Sequence, residues 1–311
     1  MKRTLLIAEF MSQPWSLMPE RLAAFSAILA RWHAGQEPSA EDRAKVAADK
    51  EKRQGRPALP PIQGGIAVLP LYGVITQRGN MTDDISGPGS VSTEKFSQAL
   101  RSAVNDPAVG GVIIDIDSPG GSVYGISELA DEIYQARRTK PVVAIANSLA
   151  ASAAYWIGSA ASEFYVTPGG EVGSIGVWMA HQDLSAMYDA AGIKTTLVSA
   201  GKYKTEGNVF QPLDKDAKAF LQTRVDDYYN AFVKAVARGR NTDMAKVRNG
   251  MGQGRILGAA DAKAAGMVDD VDTLDGVINR MGKQLRKTGG AKRANAATAH
   301  YGRLLRLIQG G

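Results

Sequence analysis

A serine inside a run of small residues poses the first chemical question. Pro141 to Val177 reads PVVAIANSLAASAAYWIGSAASEFYVTPGGEVGSIGV. The apolar run Val142 to Ala146 predicts a buried strand. Ser148, Ala150, Ala151, Ser152, Ala153 and Ala154 follow, almost all small, and a helical pattern continues through Ile157. A strand-like Phe164 to Val166 and a Gly-rich turn close the unit. Small residues between a strand and a helix let a ligand approach backbone N–H groups closely. Ser152 falls where that helix begins. A hydroxyl there is a candidate nucleophile, with neighbouring N–H groups facing a developing oxyanion. The plainer reading of the same residues is an N-cap serine beside a tightly packed Ala-rich helix.

A serine nucleophile needs a base, and the usual base is histidine. His181 lies beyond the Gly-rich turn and Asp183 two residues further on, so a Ser152–His181–Asp183 set is conceivable. Two residues apart on a strand, however, the pair would share a face and align poorly as base and orienter. The rival base is a lysine. A free lysine has a pKa near ~10.4, so acting at neutral pH means lowering it by about 3 pH units, roughly 4 kcal/mol. Burial of a loop lysine against the Ala-rich helix would supply that.

The elements that must position such a site follow from periodicity. Pro19 to Ala34 predicts a helix, with Leu22, Phe25, Ile28, Leu29 and Trp32 at spacings of three and four. Residues 36–61 are polar, then Pro-rich, and read as a linker, partly helical around Glu41 to Lys52. The main domain starts at Gly65. Ile66 to Leu71 and Gly73 to Ile75 predict strands, and Gly79 to Ser92 a polar loop. Ser92 and Thr93 are placed to cap a helix from Glu94 to Asn105. Gly111 to Ile116 predicts a second buried strand, ending in Asp117-Ser118-Pro119-Gly120-Gly121-Ser122, before a helix over Ser127 to Arg138. Alternating strands and helices point to parallel βα units, whose sites form where loops leave the carboxyl ends of strands. Gly120-Gly121 and Ser152 both fall there. Further on, the pattern predicts a helix over Leu184 to Ala191, a strand over Lys194 to Ser199, and a polar loop from Ala200 to Asn208. A long helix over Asp214 to Arg238 should pack Leu221, Val225, Tyr228, Phe232 and Val236. Short elements follow at Ala245 to Asn249, Arg255 to Leu257 and Ala259 to Ala265, then a last helix over Asp275 to Met281.

Composition narrows the chemistry. The chain has 311 residues, 44% hydrophobic and 22% charged, an ordinary globular balance able to bury a core without disulfides. It has no cysteine and three histidines (His33, His181 and His300), which excludes thiol catalysis and Cys- or His-rich metal sites. The net charge is +6, with much of the excess in the last thirty residues. A basic tail suits nucleic acid or an acidic protein surface, and equally a solvated, disordered end. The apolar run after Met1 is too short for a signal peptide, Glu9 interrupts it, and no window reaches a membrane span. A cytoplasmic protein is therefore expected.

Four segments, in order, now resemble one family. They are DSPGGS at Asp117 to Ser122, the serine within SLAASAAYW, VGSIGV at Val172 to Val177, and SAGKYKTEGNVFQPL from Ser199 to Leu213. Together they resemble the serine peptidases of the signal peptide peptidase A family. GNVF and the WMAH at Trp178 to His181 are similar, more narrowly, to the capsid assembly proteases of lambda-like tailed phages. The resemblance covers about Gly65 to Asp270. It implies an α/β, Clp/crotonase-like fold of repeated ββα units with a parallel sheet. The expected organisation is an N-terminal helical appendage and linker (1–61), a serine peptidase domain (62–282) and a basic flexible tail (283–311).

By the same resemblance Ser152 is the nucleophile and Lys204 the general base, which later protonates the leaving amine. Lys202 is the neighbouring competitor. Gly120 and Gly121, with the N–H of Ala153, form the oxyanion hole, and Ser174 orients the lysine. No metal or cofactor is implied. Ala153 and Ala154 stand where many members have glycine, a change that narrows the site but keeps its backbone donors. The family's rings imply a homo-oligomer, in some members with the dyad shared between subunits. Scaffold, portal or major capsid proteins are the implied substrates, in the bacterial host cytoplasm or inside the procapsid. Nucleic-acid contact would run through the basic tail. The competing readings are a cytosolic signal-peptide-degrading or quality-control peptidase, a crotonase-like acyl-CoA enzyme, and an inactive structural capsid subunit.

Overall fold

In the computed structural model, residues 12–19, 65–78 and 90–287 are described. The helix expected over Pro19 to Ala34, the linker and the basic tail beyond residue 287 lie outside the described residues.

The body is built on a mostly parallel sheet. Its central strands are β2 (Ile66–Tyr72), β5 (Gly111–Ser118) and β7 (Val142–Ala151). β5 pairs in parallel with β2 on one side and β7 on the other. These strands read as continuous apolar runs because both faces are covered. Side chains alternate across the pleat, so Val112, Ile114, Ala144 and Ala146 join one core, while Ile113, Val143 and Ile145 join the other. The first core lies under α1 (Thr93–Asn105) and α2 (Ile126–Ala136), whose buried positions recur at three- and four-residue steps: Phe96, Ala99, Leu100 and Ala103, then Ile126, Leu129, Ala130 and Ile133. As expected, Ser92 caps α1, its Oγ accepting from the Lys95 N–H.

β7 changes partners along its length. Val143 to Ala146 pair with β8 (Glu163–Val166), and Leu149 to Ala151 with β9 (Glu171–Gly173). Between them Ser148 takes a positive φ of 135°. β7 therefore runs past the expected end at Ala146 and delivers the chain to α3 (Ala153–Ser159). Every residue of α3 is buried, as for a helix that is apolar all round. Trp156 stacks on Phe232, with ring centroids 4.7 Å apart, and Gly158 leaves no room for a side chain beside the Phe164 ring. Phe232 lies on α5 (Lys215–Gly239), capped by Asp214. The C-terminal half of α5 packs through Phe232, Val233 and Val236, whereas Leu221, Val225 and Tyr228 stay half-buried and Phe220 is 54% exposed.

A second, four-stranded sheet sits at the carboxyl end of β5. Its order is β1 (Trp15–Leu17), β6 (Gly120–Ser122), β3 (Val74–Thr76) and β4 (Ser90–Ser92). The polar loop expected over Gly79 to Ser92 thus ends in a strand, because Ser90–Ser92 finds a parallel partner in β3. Of the shorter C-terminal elements, α4 (Ser185–Ala190), α6 (Met244–Gly250), β10 (Ile256–Gly258) and α7 (Ala259–Ala264) fall where the pattern puts them. β11 (Asp270–Val271) adds to β8. The last helix, α8 (Leu274–Lys287), runs beyond the expected Met281 because Leu285 continues the stripe of Val277, Ile278 and Met281 that covers the second core.

The strand expected over Lys194 to Ser199 does not form. That segment pairs with no strand among the described residues, and Leu197 and Val198 are 37% and 95% exposed. β propensity reflects fit to a pleated, half-buried surface, and this exposed segment lies against none of the described strands.

Candidate active site

Ser152 occupies the single residue between β7 and α3, at φ 57° and ψ −118°. A positive φ is uncommon for a residue with a side chain and persists only where the surroundings enforce it. Here they do: the Ser152 N–H donates to the Gly173 carbonyl at 2.7 Å, and its carbonyl accepts from Trp156 at 3.0 Å. The turn frees the hydroxyl from capping, since the side chain makes no cap bond to α3. The plainer reading as an N-cap is thereby set aside. The first N–H of α3, that of Ala153, precedes the helix's own hydrogen bonding and is not claimed by the serine.

Gly120 lies against this turn. It has φ +99°, and a Cβ there would stand 2.9 Å from Ser152 Cβ and 2.3 Å from the Ser16 carbonyl oxygen. The Gly120 N–H donates to Ser118 Oγ at 3.2 Å, and that hydroxyl donates in turn to the Gly73 carbonyl at 2.6 Å. Gly121 is equally confined: a Cβ would meet the Ile75 backbone oxygen at 1.9 Å. The two glycines therefore let three strands and the serine turn converge, which side chains would forbid.

β1 completes the enclosure. Trp15, Ser16 and Leu17 pair antiparallel with Ser122, Gly121 and Gly120. Ser16 Oγ lies 2.7 Å from Ser152 Oγ and also donates to the Gly176 carbonyl at 3.1 Å. Ser152 is 1% exposed as a result. Nothing in the sequence pattern singled out Ser16, and Trp178 entered only as part of the WMAH motif, with no structural role assigned to it. A three-residue strand carries no periodicity, and its only signal was a short apolar stretch between Pro14 and Pro19.

The candidate bases stand elsewhere. Lys204 and Lys202 are exposed, in the turns of the segment 200–207. Lys202 Nζ lies 4.8 Å from the centre of the Tyr203 ring. Neither lysine bonds to Ser152 among the described residues. Ser174, at φ 54°, donates its N–H to the Arg255 carbonyl at 2.8 Å and follows Gly173 directly. It is close in sequence to the atom that anchors Ser152 but makes no bond to either lysine. The His181 alternative is not assembled. His181 Nε2 bonds the Asn208 carbonyl at 2.9 Å, and Asp183 accepts from the Ser185 N–H at 2.9 Å. The hydrogen bonds from Ser185 hold the Asp183 carboxyl below its ordinary range. Neither group reaches Ser152.

No group of three or more potential metal ligands occurs among the described residues, and no described helix is long and apolar enough to cross a membrane.

Residues 134–288 match the profile of peptidase family S49. The capsid assembly protease C of Escherichia phage lambda is 33% identical over 217 residues, 70% of this chain and 48% of that protein. The head-tail preconnector protein GP5 of Enterobacteria phage P21 is 38% identical over 176 residues, 57% of this chain and 35% of that protein. A putative signal peptide peptidase SppA of Enterococcus faecium is 26% identical over 224 residues, 72% of this chain and 64% of that protein. The chain thus spans about half, or less, of the two phage relatives' length.

Proposed function

For a chain that belongs to peptidase family S49, we propose the activity of a serine endopeptidase using Ser152 as nucleophile and Lys204 as base. The observation that carries this reading is the Ser152 turn: a strained residue between a parallel strand and a buried helix, its hydroxyl freed from capping, beside two glycines that admit no side chain. A strained backbone at such a position is the kind of feature that functional sites retain.

In the reaction, the neutral amine of Lys204 takes the Ser152 proton as Oγ attacks the substrate carbonyl. The new oxyanion is held in the hole that Gly120 and Gly121 line, with the Ala153 N–H, which the Ser152 side chain does not cap, as the donor. One such donor is worth about 10²–10³ in rate. Lys204 then passes its proton to the departing amine as the C–N bond breaks, and water releases the acyl group by the same steps in reverse roles. Ser174 would orient the lysine.

Lys204 is exposed while Ser152 is buried, so the dyad is completed when a neighbouring copy presents its 200–207 segment to this one. A homo-oligomer follows from that reading. The unpaired Lys194–Ser199 segment and the half-covered N-terminal half of α5 would be covered in the same assembly. The two phage relatives favour scaffold, portal or major capsid proteins as substrates, in the host cytoplasm or within an assembling procapsid.

Mixing Ser152→Ala with Lys204→Ala subunits tests the shared dyad. Regained cleavage of a protein substrate supports it; two inactive parents whose mixture stays inactive despite subunit exchange count against it.

A further inference from the structure

The strand Trp15–Leu17 contributes nothing to the chemistry above, yet it fills the ground in front of Ser152. It is held along both edges. On one side it pairs with Gly120–Ser122, and the flanking bonds are Met18 N–H to Pro119 carbonyl at 3.2 Å and Val123 N–H to Pro14 carbonyl at 3.4 Å. Hydrogen-bonded pairs alternate along an antiparallel ladder, so these two bonds place Ser16–Gly121 among the bonded pairs. The Gly121 N–H therefore faces the Ser16 carbonyl. On the other side Trp15 exchanges both backbone bonds with Trp178, at 2.8 and 3.0 Å, and Trp178 Nε1 donates to the Leu17 carbonyl at 2.9 Å. Trp15, Ser16 and Leu17 are 2%, 0% and 1% exposed.

An extended segment added to a sheet edge, main chain paired and alternate side chains pocketed, is how proteins grip a peptide without regard to most of its sequence. Here the grip is exerted on both edges, and the middle side chain touches the hydroxyl of Ser152. We infer that Trp15–Leu17 is the resident occupant of the substrate groove, and that a protein substrate binds by replacing it, as an extended strand between Gly120–Ser122 and Trp178. This rests on the reading of Ser152 as nucleophile. A tethered occupant competes at an effective concentration on the order of millimolar. Short free peptides are therefore excluded, while polypeptides concentrated beside the enzyme in an assembly enter. Pro14 and Pro19, which lack N–H donors, bracket the occupant.

The test uses chains of all 311 residues carrying Ser152→Ala, which cannot turn over, and a fluorescein-labelled peptide of sequence SQPWSLMP, residues 12–19. Ser16→Pro is added to remove the N–H that pairs with Gly121. Trp15→Ala is added separately as a milder variant, and circular dichroism checks that each remains folded. The apparent affinity of a site falls with the fraction already occupied, so both added variants are expected to bind the peptide about tenfold or more tightly than Ser152→Ala alone. Equal binding by all three chains overturns the inference. The readout needs no catalysis, so it separates from the failure of the nucleophile reading. If binding tightens but no chain with Ser152 intact cleaves casein, the groove stands and the peptidase reading falls. If cleavage depends on Ser152 but binding does not change, the reverse holds.

Discussion

The hydroxyls of Ser16 and Ser152 meet at 2.7 Å in the core of the molecule, although 136 positions separate them in the chain. The contact ties a segment near the start of the sequence to the turn that heads α3. It also explains why a candidate nucleophile is fully covered in the isolated chain. Replacing Ser152 by alanine removes that hydrogen bond and little else. The loss is about 1 kcal/mol, a fall in Tm of about 2–4 °C for a domain of this size. Ser152→Gly, which relieves the positive φ, is expected to be no less stable than Ser152→Ala. Thermal unfolding followed by circular dichroism measures both.

Lys204 is exposed and makes no ion pair among the described residues. Lys204→Ala should leave the stability of the isolated chain unchanged within the roughly ±0.5 kcal/mol typical of surface changes. It should lower protein cleavage by about 10²–10⁴, the usual contribution of a general base. Lys202→Ala should change neither stability nor cleavage. Parallel rate and melting measurements on the two variants decide between the lysines.

Gly121→Ala should destabilise the fold outright. The added methyl would lie 1.9 Å from the Ile75 carbonyl oxygen, a backbone atom that cannot swing aside. β3 and β6 must part, so the expected cost is about 2–3 kcal/mol, within the range of overpacking. Gly169, where a Cβ would meet nothing within 4 Å, is the control. The unfolding free energies of Gly121→Ala and Gly169→Ala, from denaturant titration, should differ by that amount.

Arg240 anchors the crossing between α5 and β8. Its guanidinium, with 6% of the side chain exposed, grips both oxygens of Asp269 at 2.8 Å, and Asp269 accepts the Phe164 N–H at 2.6 Å. Arg240→Met leaves the carboxylate without its charge partner. Removing one member of a buried pair costs 3–5 kcal/mol, and the half-open Asp269 side chain reduces this to about 2 kcal/mol. Tm should fall by about 4–8 °C. Added salt should narrow the gap from wild type, because the Asp269 side of the pair is open to solvent and is screened there.

Much of this was legible in the residues. The buried strands announced themselves as apolar runs at Ile66, Gly111 and Val142, and the helices as three- and four-residue stripes. The small residues around Ser152 mark a tight strand-to-helix turn. What the sequence hid is long-range. No local pattern could show that Trp15–Leu17 crosses to Gly120–Ser122, because three residues fix neither register nor partner. The opposite failure occurred at Lys194 to Ser199, where β-forming residues predict a strand but the segment pairs with none of the described strands. His181 and Asp183 suit a relay by type, yet His181 bonds the distant Asn208 carbonyl and Asp183 the Ser185 N–H. Residue type alone does not say which acceptor is nearest.

Cleavage of a protein substrate by wild type and by Ser152→Ala, with the fragments identified by mass spectrometry, bears most directly on the central claim. Fragments from the wild type alone, with the variant folded and silent, are expected. The same cuts from both proteins would contradict the assignment of Ser152 as the attacking group.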